Sequence, residues 1–145
     1  MVTVVVVSEF AGDPPLAEGA CREIAGGPLY PAAKVLALLA GSGARAVRAW
    51  TEKCGTDLQK CSLDTEDLCE LLATAVRSGR FCGAEWCVQR PNGPWAACDA
   101  YSVVRREWIA HAHREFDVEY YLKFAIAKTG QLLLVASCHL PEDRR

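Results

Sequence analysis

The sequence predicts an α+β fold, in which N-terminal helices pack on a twisted antiparallel sheet. Three stretches with helical spacing of apolar residues come first, and apolar stretches separated by turn signals come later. The clearest strand signal lies in residues 119–139, where two apolar runs flank Lys128, Thr129 and Gly130. A glycine ending a short polar turn is typical of a β-hairpin. At 145 residues the chain is long enough for one domain with a sizeable core.

The first 27 residues are predicted to be an N-terminal extension. Residues 2–7 are rich in β-branched valine, which favours a short strand, and the Gly-Asp-Pro-Pro run at 12–15 ends it. The following Gly- and Ala-rich stretch leads through residues 25–28, which have the composition of a linker. We therefore expect the main domain to comprise residues 28–145.

Two helices are expected before residue 54. Pro31 suits the first turn of the first helix, which Gly41 or Gly43 would end. A second helix is predicted over residues 44–53, because its apolar residues fit helical spacing.

A third helix has the strongest local signals. Asp64 is a good N-cap, and Asp67 three residues later resembles the partner in a capping box. Gly79 suits the position just after the last turn. The apolar residues between them recur at helical spacing: Leu68, Leu71, Leu72, Ala75 and Val76.

The second half of the chain is predicted to be mostly strands. Residues 80–90 and 95–104 flank the Pro-Asn-Gly-Pro sequence at 91–94, which is a strong turn signal. Residues 105–114 are expected to be a polar connection, with a helical turn as an alternative, and residues 141–145 a frayed tail.

Alternation along residues 119–139 predicts which side chains share a face, because successive residues of a strand point to opposite faces. One face of the first strand is apolar and is expected to be buried: Tyr120, Leu122, Phe124 and Ile126. A three-residue loop would bring Leu133, Val135, Ser137 and His139 to the other face, with Tyr121 and Lys123. It would send Leu132, Leu134, Ala136 and Cys138 to the core. A two-residue turn would instead turn His139 to the core face, since a slip of one residue exchanges the faces. We favour the three-residue loop.

Charge and cysteine content limit the possible functions. The net charge is −2; residues 1–70 carry 6 Lys and Arg against 10 Asp and Glu, whereas residues 71–145 carry 10 against 8. An anionic ligand is therefore expected to prefer the second half. None of the eight cysteines forms a Cys-x₂-Cys pair, so neither a structural zinc site nor any other cofactor is expected. No secretory signal or membrane span is evident, which favours a cytoplasmic protein with reduced thiols.

The polar face of the hairpin fits metal-free cleavage of RNA. That reaction needs a base for the 2′-hydroxyl proton, cations that stabilise charge on phosphorus, and an acid for the leaving 5′-oxygen. His139 can serve as base or acid near neutral pH, and Lys123 can hold phosphate. Tyr121 can donate a proton, position phosphate or stack on a base. Further phosphate-binding candidates are Arg80, Arg105 and Arg106.

From residue 28 onward, the chain resembles the MqsR family of motility quorum-sensing regulator toxins. The resemblance is carried by the order and spacing of YPAAKVLALLAGSGARAVRAW, SLDTEDLCELLATAVRSGRF, CDAY, YYLKFAI and LLLVASCH. It implies a RelE-like ribonuclease fold. It also implies the toxin of a toxin–antitoxin pair, which cuts messenger RNA without a metal and is blocked by a cognate antitoxin protein. No membrane partner is implied.

The resemblance also implies roles for individual residues. The active-site Tyr and Lys of the family fall on Tyr121 and Lys123, and its final Lys falls on His139, preceded by Ser137 two residues earlier. The Asp-x-Tyr pair of the family falls on Asp99 and Tyr101, which are expected to contact substrate with Arg80, Arg105 and Ser137. Two polar residues of the family are replaced here, by Gly83 and Cys98. Residues 1–27 have no counterpart in the family.

Two alternatives remain open, the first of which rests on the resemblance. The two replaced polar positions favour a module on the same fold that binds RNA or protein but is catalytically weak or silent. A thiol or metal site could use Cys82, Cys87 and Cys98. Strand alternation places Cys82 and Cys87 on opposite faces, which argues against that site.

Overall fold

The structure, a computed structural model, describes residues 3–141. Val2 of the predicted first strand and residues 142–145 of the predicted tail lie outside this range. The described helices are α1 (Ala32–Ser42), α2 (Glu52–Lys60) and α3 (Thr65–Ser78). The strands are β1 (Glu23–Ile24), β2 (Val47–Ala49), β3 (Arg80–Val88), β4 (Trp95–Ile109), β5 (Arg114–Ile126) and β6 (Leu133–His139). Short 3₁₀ helices occupy Gly43–Ala46 and Ala110–Ala112.

All six strands form one sheet in the order β1-β3-β4-β5-β6-β2. Every neighbouring pair is antiparallel except β2 and β6, which are parallel. The predicted α+β class is therefore confirmed. The prediction of a purely antiparallel sheet is wrong at the edge formed by β2.

Helix α3 begins as its sequence predicts. Asp64 accepts a hydrogen bond from the Asp67 amide at 2.8 Å, and Asp67 accepts one from the Asp64 amide at 2.9 Å, which completes a capping box. Gly79 follows the helix with an extended backbone (φ −75°) rather than a left-handed one. A Cβ there would lie only 2.7 Å from Ala75 O and 2.8 Å from Ser102 O, so close packing is what requires the glycine.

The helix predicted over residues 44–53 is wrong. A 3₁₀ turn and β2 occupy most of this segment, and α2 begins only at Glu52. The side chain of Thr51 caps α2 by accepting from the Cys54 amide at 3.0 Å, and the helix continues through Gly55. Strand β2 pairs with β6, far along the chain, and this non-local ladder outweighs the local helical spacing.

The connection predicted over residues 105–114 is instead the outer part of a long β4–β5 hairpin. Only Ala110–Ala112 forms a helical turn. Arg106 on β4 forms ion pairs with Glu115 and Asp117 of β5, each at 3.3 Å. This part of the hairpin is therefore a two-stranded ribbon whose strands are linked by cross-strand charge pairs.

The N-terminal segment contacts two central strands. Val7 N donates to Trp95 O at 2.9 Å on β4, and Lys128 N, just after β5, donates to Val7 O at 2.8 Å. Ser8 is fully buried, and its hydroxyl accepts from Ala97 N at 3.0 Å. The described part of the predicted strand over residues 2–7 therefore makes one isolated bridge, from Val6 to Trp95, rather than a full strand.

The helices cover one face of the sheet, here called the core face and defined on β5 by Tyr120, Leu122, Phe124 and Ile126. Residues from α1, α2 and α3 join these four in one buried cluster. The opposite face, defined by Tyr121 and Lys123, is called the cleft face. Within residues 3–141, no helix combines the length and apolar character that crossing a membrane would require.

Candidate active site

The loop between β5 and β6 is one residue longer than predicted. Ala127 N donates to Leu132 O at 2.8 Å, so four residues separate the paired positions. In this register Leu133 and Val135 lie opposite core-face residues of β5, and both are fully buried. Their predicted position beside Tyr121 is therefore wrong.

A β-bulge restores the predicted arrangement farther from the turn. Ala136 has no partner in the ladder, and beyond it Lys123 pairs with Ser137 and Tyr121 pairs with His139. Directly paired residues of neighbouring strands share a face. The prediction that these four side chains share one face is thus confirmed.

The start of α2 holds this bulge in place. Thr51 Oγ1 donates to Ala136 O at 2.8 Å, and Trp50 N donates to Val135 O at 2.9 Å. The carbonyl that the bulge removes from the ladder therefore keeps a hydrogen-bond partner.

The four side chains line a cleft of about 410 Å³ on the cleft face. Lys53 from α2 and Cys82 and Glu85 from β3 form other parts of its wall. This volume is within the range of small-ligand sites in proteins. The cleft brings together one amine, one imidazole, one phenol and one hydroxyl from two neighbouring strands.

Lys123 is paired with Glu85 inside the cleft. The Lys123 Nζ and Glu85 Oε1 atoms are 2.8 Å apart, and each side chain is 33% exposed. Partial burial lowers the pKa of Lys123, but the hydrogen bond and negative charge of Glu85 more than offset it, so the pKa is raised overall. Lys123 is therefore a cation at neutral pH, suited to hold an anion rather than to act as a base.

His139 has one ring nitrogen fixed and the other available. Its Nδ1 lies 2.9 Å from Leu140 O. A carbonyl oxygen can only accept, so Nδ1 carries the proton in this contact. Nε2 is then the ring nitrogen available for proton transfer.

Tyr121 lies beside His139, with ring centroids 6.0 Å apart. Its hydroxyl makes a long contact of 3.4 Å with Glu119 Oε1, while Ser102 Oγ donates to Glu119 Oε2 at 2.6 Å. The phenol thus contacts this carboxylate and lies within the cleft wall.

Asp99 and Tyr101 take structural positions on the core face. Asp99 is fully buried and accepts hydrogen bonds from the amides of Leu29 and Tyr30 at 2.9 and 3.0 Å. Burial raises the pKa of Asp99, although these two donors partly offset the effect. Tyr101 borders the cleft, but its ring stacks on Phe124 with centroids 5.9 Å apart. Asp99 therefore does not line the cleft, whereas Tyr101 forms part of its wall.

Arg80 and Arg105, which are predicted to contact substrate, do not line this cleft. Arg105 bonds to Asp67 at 2.9 Å and to Glu107 at 3.0 Å, which links β4 to the first turn of α3. Arg80 is exposed on the cleft face, but it lines a neighbouring depression together with Glu119.

Sequence reasoning missed Glu85 and misplaced Cys82. A second bulge interrupts the β3–β4 ladder between Phe81 and Gly83, and Gly83 has a φ of 118° there. This bulge places Cys82 in the cleft wall beside Glu85, so the argument from strict alternation was wrong. The Cys-Gly sequence within a strand was the available signal, because a glycine inside a strand often marks a bulge.

The buried cysteines of the described chain carry free thiols. Cys54, Cys98 and Cys138 are buried, and burial raises the pKa of Cys54 and of Cys138 to about 12. Across residues 3–141, no group of three or more His, Cys, Asp and Glu side chains is placed to hold a metal ion.

The family resemblance stays a prediction after comparison of the chain with known proteins. No protein-family model, no curated protein and no solved structure matches the chain.

Proposed function

We propose that this chain is a metal-independent endoribonuclease that cleaves messenger RNA by attack of the 2′-hydroxyl. The observation that supports the proposal is the convergence of Tyr121, Lys123 and His139 in one cleft. In keeping with the sequence resemblance, we further propose a RelE-like fold and the role of a toxin in a type II toxin–antitoxin pair. Its partners would be RNA and a cognate antitoxin protein, and it would act in the cytoplasm.

Each side chain has a defined part in the proposed reaction. Nε2 of His139 accepts the proton of the 2′-hydroxyl, and the 2′-oxygen forms a bond to phosphorus. Lys123 stabilises the charge that grows on the phosphate oxygens. The bond from phosphorus to the 5′-oxygen breaks, and the hydroxyl of Tyr121 donates a proton to that oxygen. The products are a 2′,3′-cyclic phosphate and a 5′-hydroxyl.

One observation favours a second function on the same cleft. The carboxylate of Glu85 already forms an ion pair with the amine of Lys123, so a phosphate must compete with it for this cation. Competition of this kind suits a module that binds RNA or protein and cleaves weakly or not at all.

A cleavage assay with matched histidine variants distinguishes the two functions. We expect the wild-type protein to cut single-stranded RNA in EDTA, and His139→Ala to cut at least about 100-fold more slowly, because general acid–base groups contribute 10²- to 10⁴-fold. His113→Ala changes an exposed histidine at the tip of the β4–β5 hairpin and should cut within about twofold of wild type.

The same proteins separate the alternatives. RNA that is retained but left intact by the wild type would favour the binding module. Equal cleavage by the wild type and His139→Ala would show that His139 and its cleft take no part in the reaction. Induced expression of the wild type, but not of His139→Ala, should arrest bacterial growth if the protein is a toxin.

A further inference from the structure

A second cleft of about 360 Å³ continues from the first. The two clefts share Lys53, Glu85, Lys123 and Ser137 as lining residues. A ligand held at the proposed active site can therefore extend into the second cleft without leaving the surface of the protein.

The far part of the second cleft carries two arginines, and their charge is available to a ligand. Arg22 and Arg90 both line it and are both exposed. Within the described residues 3–141, neither forms an ion pair, whereas Lys53 pairs with Asp57 at 2.7 Å and Lys123 pairs with Glu85. These two guanidinium groups can therefore take an anionic ligand without first losing a carboxylate.

Both arginines make contacts with neighbouring segments of the chain. Arg22 immediately precedes β1, and its carbonyl accepts from Trp86 N at 2.8 Å, while its guanidinium lies 5.1 Å from the centre of the Trp95 ring. Arg90 donates to Gln89 Oε1 at 2.8 Å, and Gln89 Nε2 donates to Trp50 O at 2.7 Å. That last bond joins the end of β3 to the segment between β2 and α2.

The charge and shape of the second cleft fit a polyanionic strand. Four cationic side chains line it, against the carboxylates of Glu52 and Glu85. A groove that follows a backbone with cations, and offers planar groups on which bases stack, is how proteins hold single-stranded nucleic acid. A guanidinium over an indole ring is one such planar group.

We propose that the second cleft binds the nucleotides that continue the substrate strand, with Arg22 and Arg90 contacting its phosphates. This proposal rests on the proposed function for the class of ligand. It also gives the N-terminal extension a role, because Arg22 belongs to residues 1–27. The extension would thereby form part of the substrate groove.

The test compares two double variants that remove the same charge. Arg22→Gln/Arg90→Gln changes the second cleft. Arg45→Gln/Arg77→Gln changes two exposed cations that line neither cleft. Binding is measured by fluorescence anisotropy with 2′-O-methyl RNA, which lacks the attacking hydroxyl, as a dinucleotide and as an octanucleotide at several salt concentrations.

We expect the wild type and the Arg45/Arg77 control to bind the octanucleotide at least about tenfold more tightly than the dinucleotide. The Arg22/Arg90 variant should lose most of this gain. Its slope of log K against log salt should be shallower by about 1.4, since each phosphate contact to a single strand contributes about 0.7. Affinity for the dinucleotide should change less than affinity for the octanucleotide.

The outcomes separate this inference from the proposed function. Arginine-dependent binding without cleavage of ordinary RNA would support the second cleft and reject the nuclease. If ordinary RNA is cleaved but the two double variants bind the octanucleotide equally well, the second cleft is rejected as a binding site. The proposed nuclease activity would then still hold. Poly-glutamate that competes as well as RNA for the arginines would assign the cleft to an acidic protein segment and overturn the inference. A wild-type protein that binds neither oligonucleotide would overturn it as well.

Discussion

The two faces of the central hairpin differ in burial, although alternate residues of the same strands form them. On β5, Leu122 and Phe124 are fully buried beneath the helices, whereas Tyr121 and Lys123 line an open cleft. Composition alone does not separate the faces, because Tyr120 is buried and its neighbour Tyr121 is not. What separates them is register, and register in this hairpin depends on one residue.

That residue is Ala136. Without the bulge, the pairing next to the turn would continue along the hairpin, and Ser137 and His139 would lie on the core face. The hydroxyl of Thr51 donates to the carbonyl of Ala136 and stabilises the bulge. The candidate active site therefore depends on a contact between the start of α2 and the last strand.

The two faces also differ in how their cations are used. Arg105, on the core side, is held by Asp67 and Glu107 and is only 20% exposed. Among residues 3–141, Lys123 on the cleft face has a single carboxylate partner, Glu85, and it is more exposed. The first cation stabilises the fold, and the second can exchange its partner for a ligand.

Substitutions on the two faces should lower the stability of the protein by very different amounts. Phe124→Ala removes a fully buried ring and should lower the free energy of unfolding by about 3–5 kcal/mol. Lys123→Ala, one residue earlier, should lower it by less than about 1 kcal/mol, because the ion pair that it removes is partly exposed. Urea denaturation measures both. Similar losses from the two variants would contradict the assignment of faces.

A smaller effect concerns Glu85 and the affinity for RNA. Glu85→Gln removes the carboxylate that competes for Lys123, so RNA should bind about 3- to 10-fold more tightly at low salt. The pKa of Lys123 should fall, because that carboxylate is what raises it. Glu70→Gln, which removes an exposed charge near Arg105, is the matched control and should leave affinity unchanged. Weaker binding by Glu85→Gln would mean that the carboxylate positions Lys123 rather than competes with the ligand.

A smaller effect on stability should depend on pH, and it concerns the ion pair between Asp67 and Arg105. The amide of Asp64 and the guanidinium of Arg105 lower the pKa of Asp67 in the folded protein. A lowered pKa adds stability above the unfolded value near 4, and this stability is lost as the pH falls through the folded value. Asp67→Asn should therefore cost about 0.5–1 kcal/mol at pH 7 and progressively less below pH 4. Thermal unfolding from pH 3 to pH 7 measures this; a constant difference across that range would contradict it.

Sequence reasoning located the features that short stretches determine. The capping box of Asp64 and Asp67 spans four residues, and the apolar alternation of β5 is strong enough to identify its buried face. Gly130, with a φ of 76°, takes the left-handed position predicted for the turn. These signals are local, so distant contacts did not change them.

The features it missed depend on contacts between distant segments. Strand β2 exists because Val47–Ala49 pairs with β6, and nothing in the local pattern distinguishes it from a helix. The bulge at Ala136 depends on Thr51 in the same way. Sequence reasoning reached the right face for His139 because two errors cancelled: the loop is one residue longer than predicted, and the bulge adds one more.

The chemical ends of the products show whether RNA is cut in this cleft by attack of its own 2′-hydroxyl, as we propose. The RNA fragments are analysed by mass spectrometry after digestion in EDTA by the wild type and by His139→Ala. This mechanism predicts 2′,3′-cyclic phosphate and 5′-hydroxyl ends from the wild type, and no cleavage at a site whose nucleotide carries 2′-deoxyribose. Fragments with 3′-hydroxyl and 5′-phosphate ends, or equal cutting at the 2′-deoxy site, would contradict it.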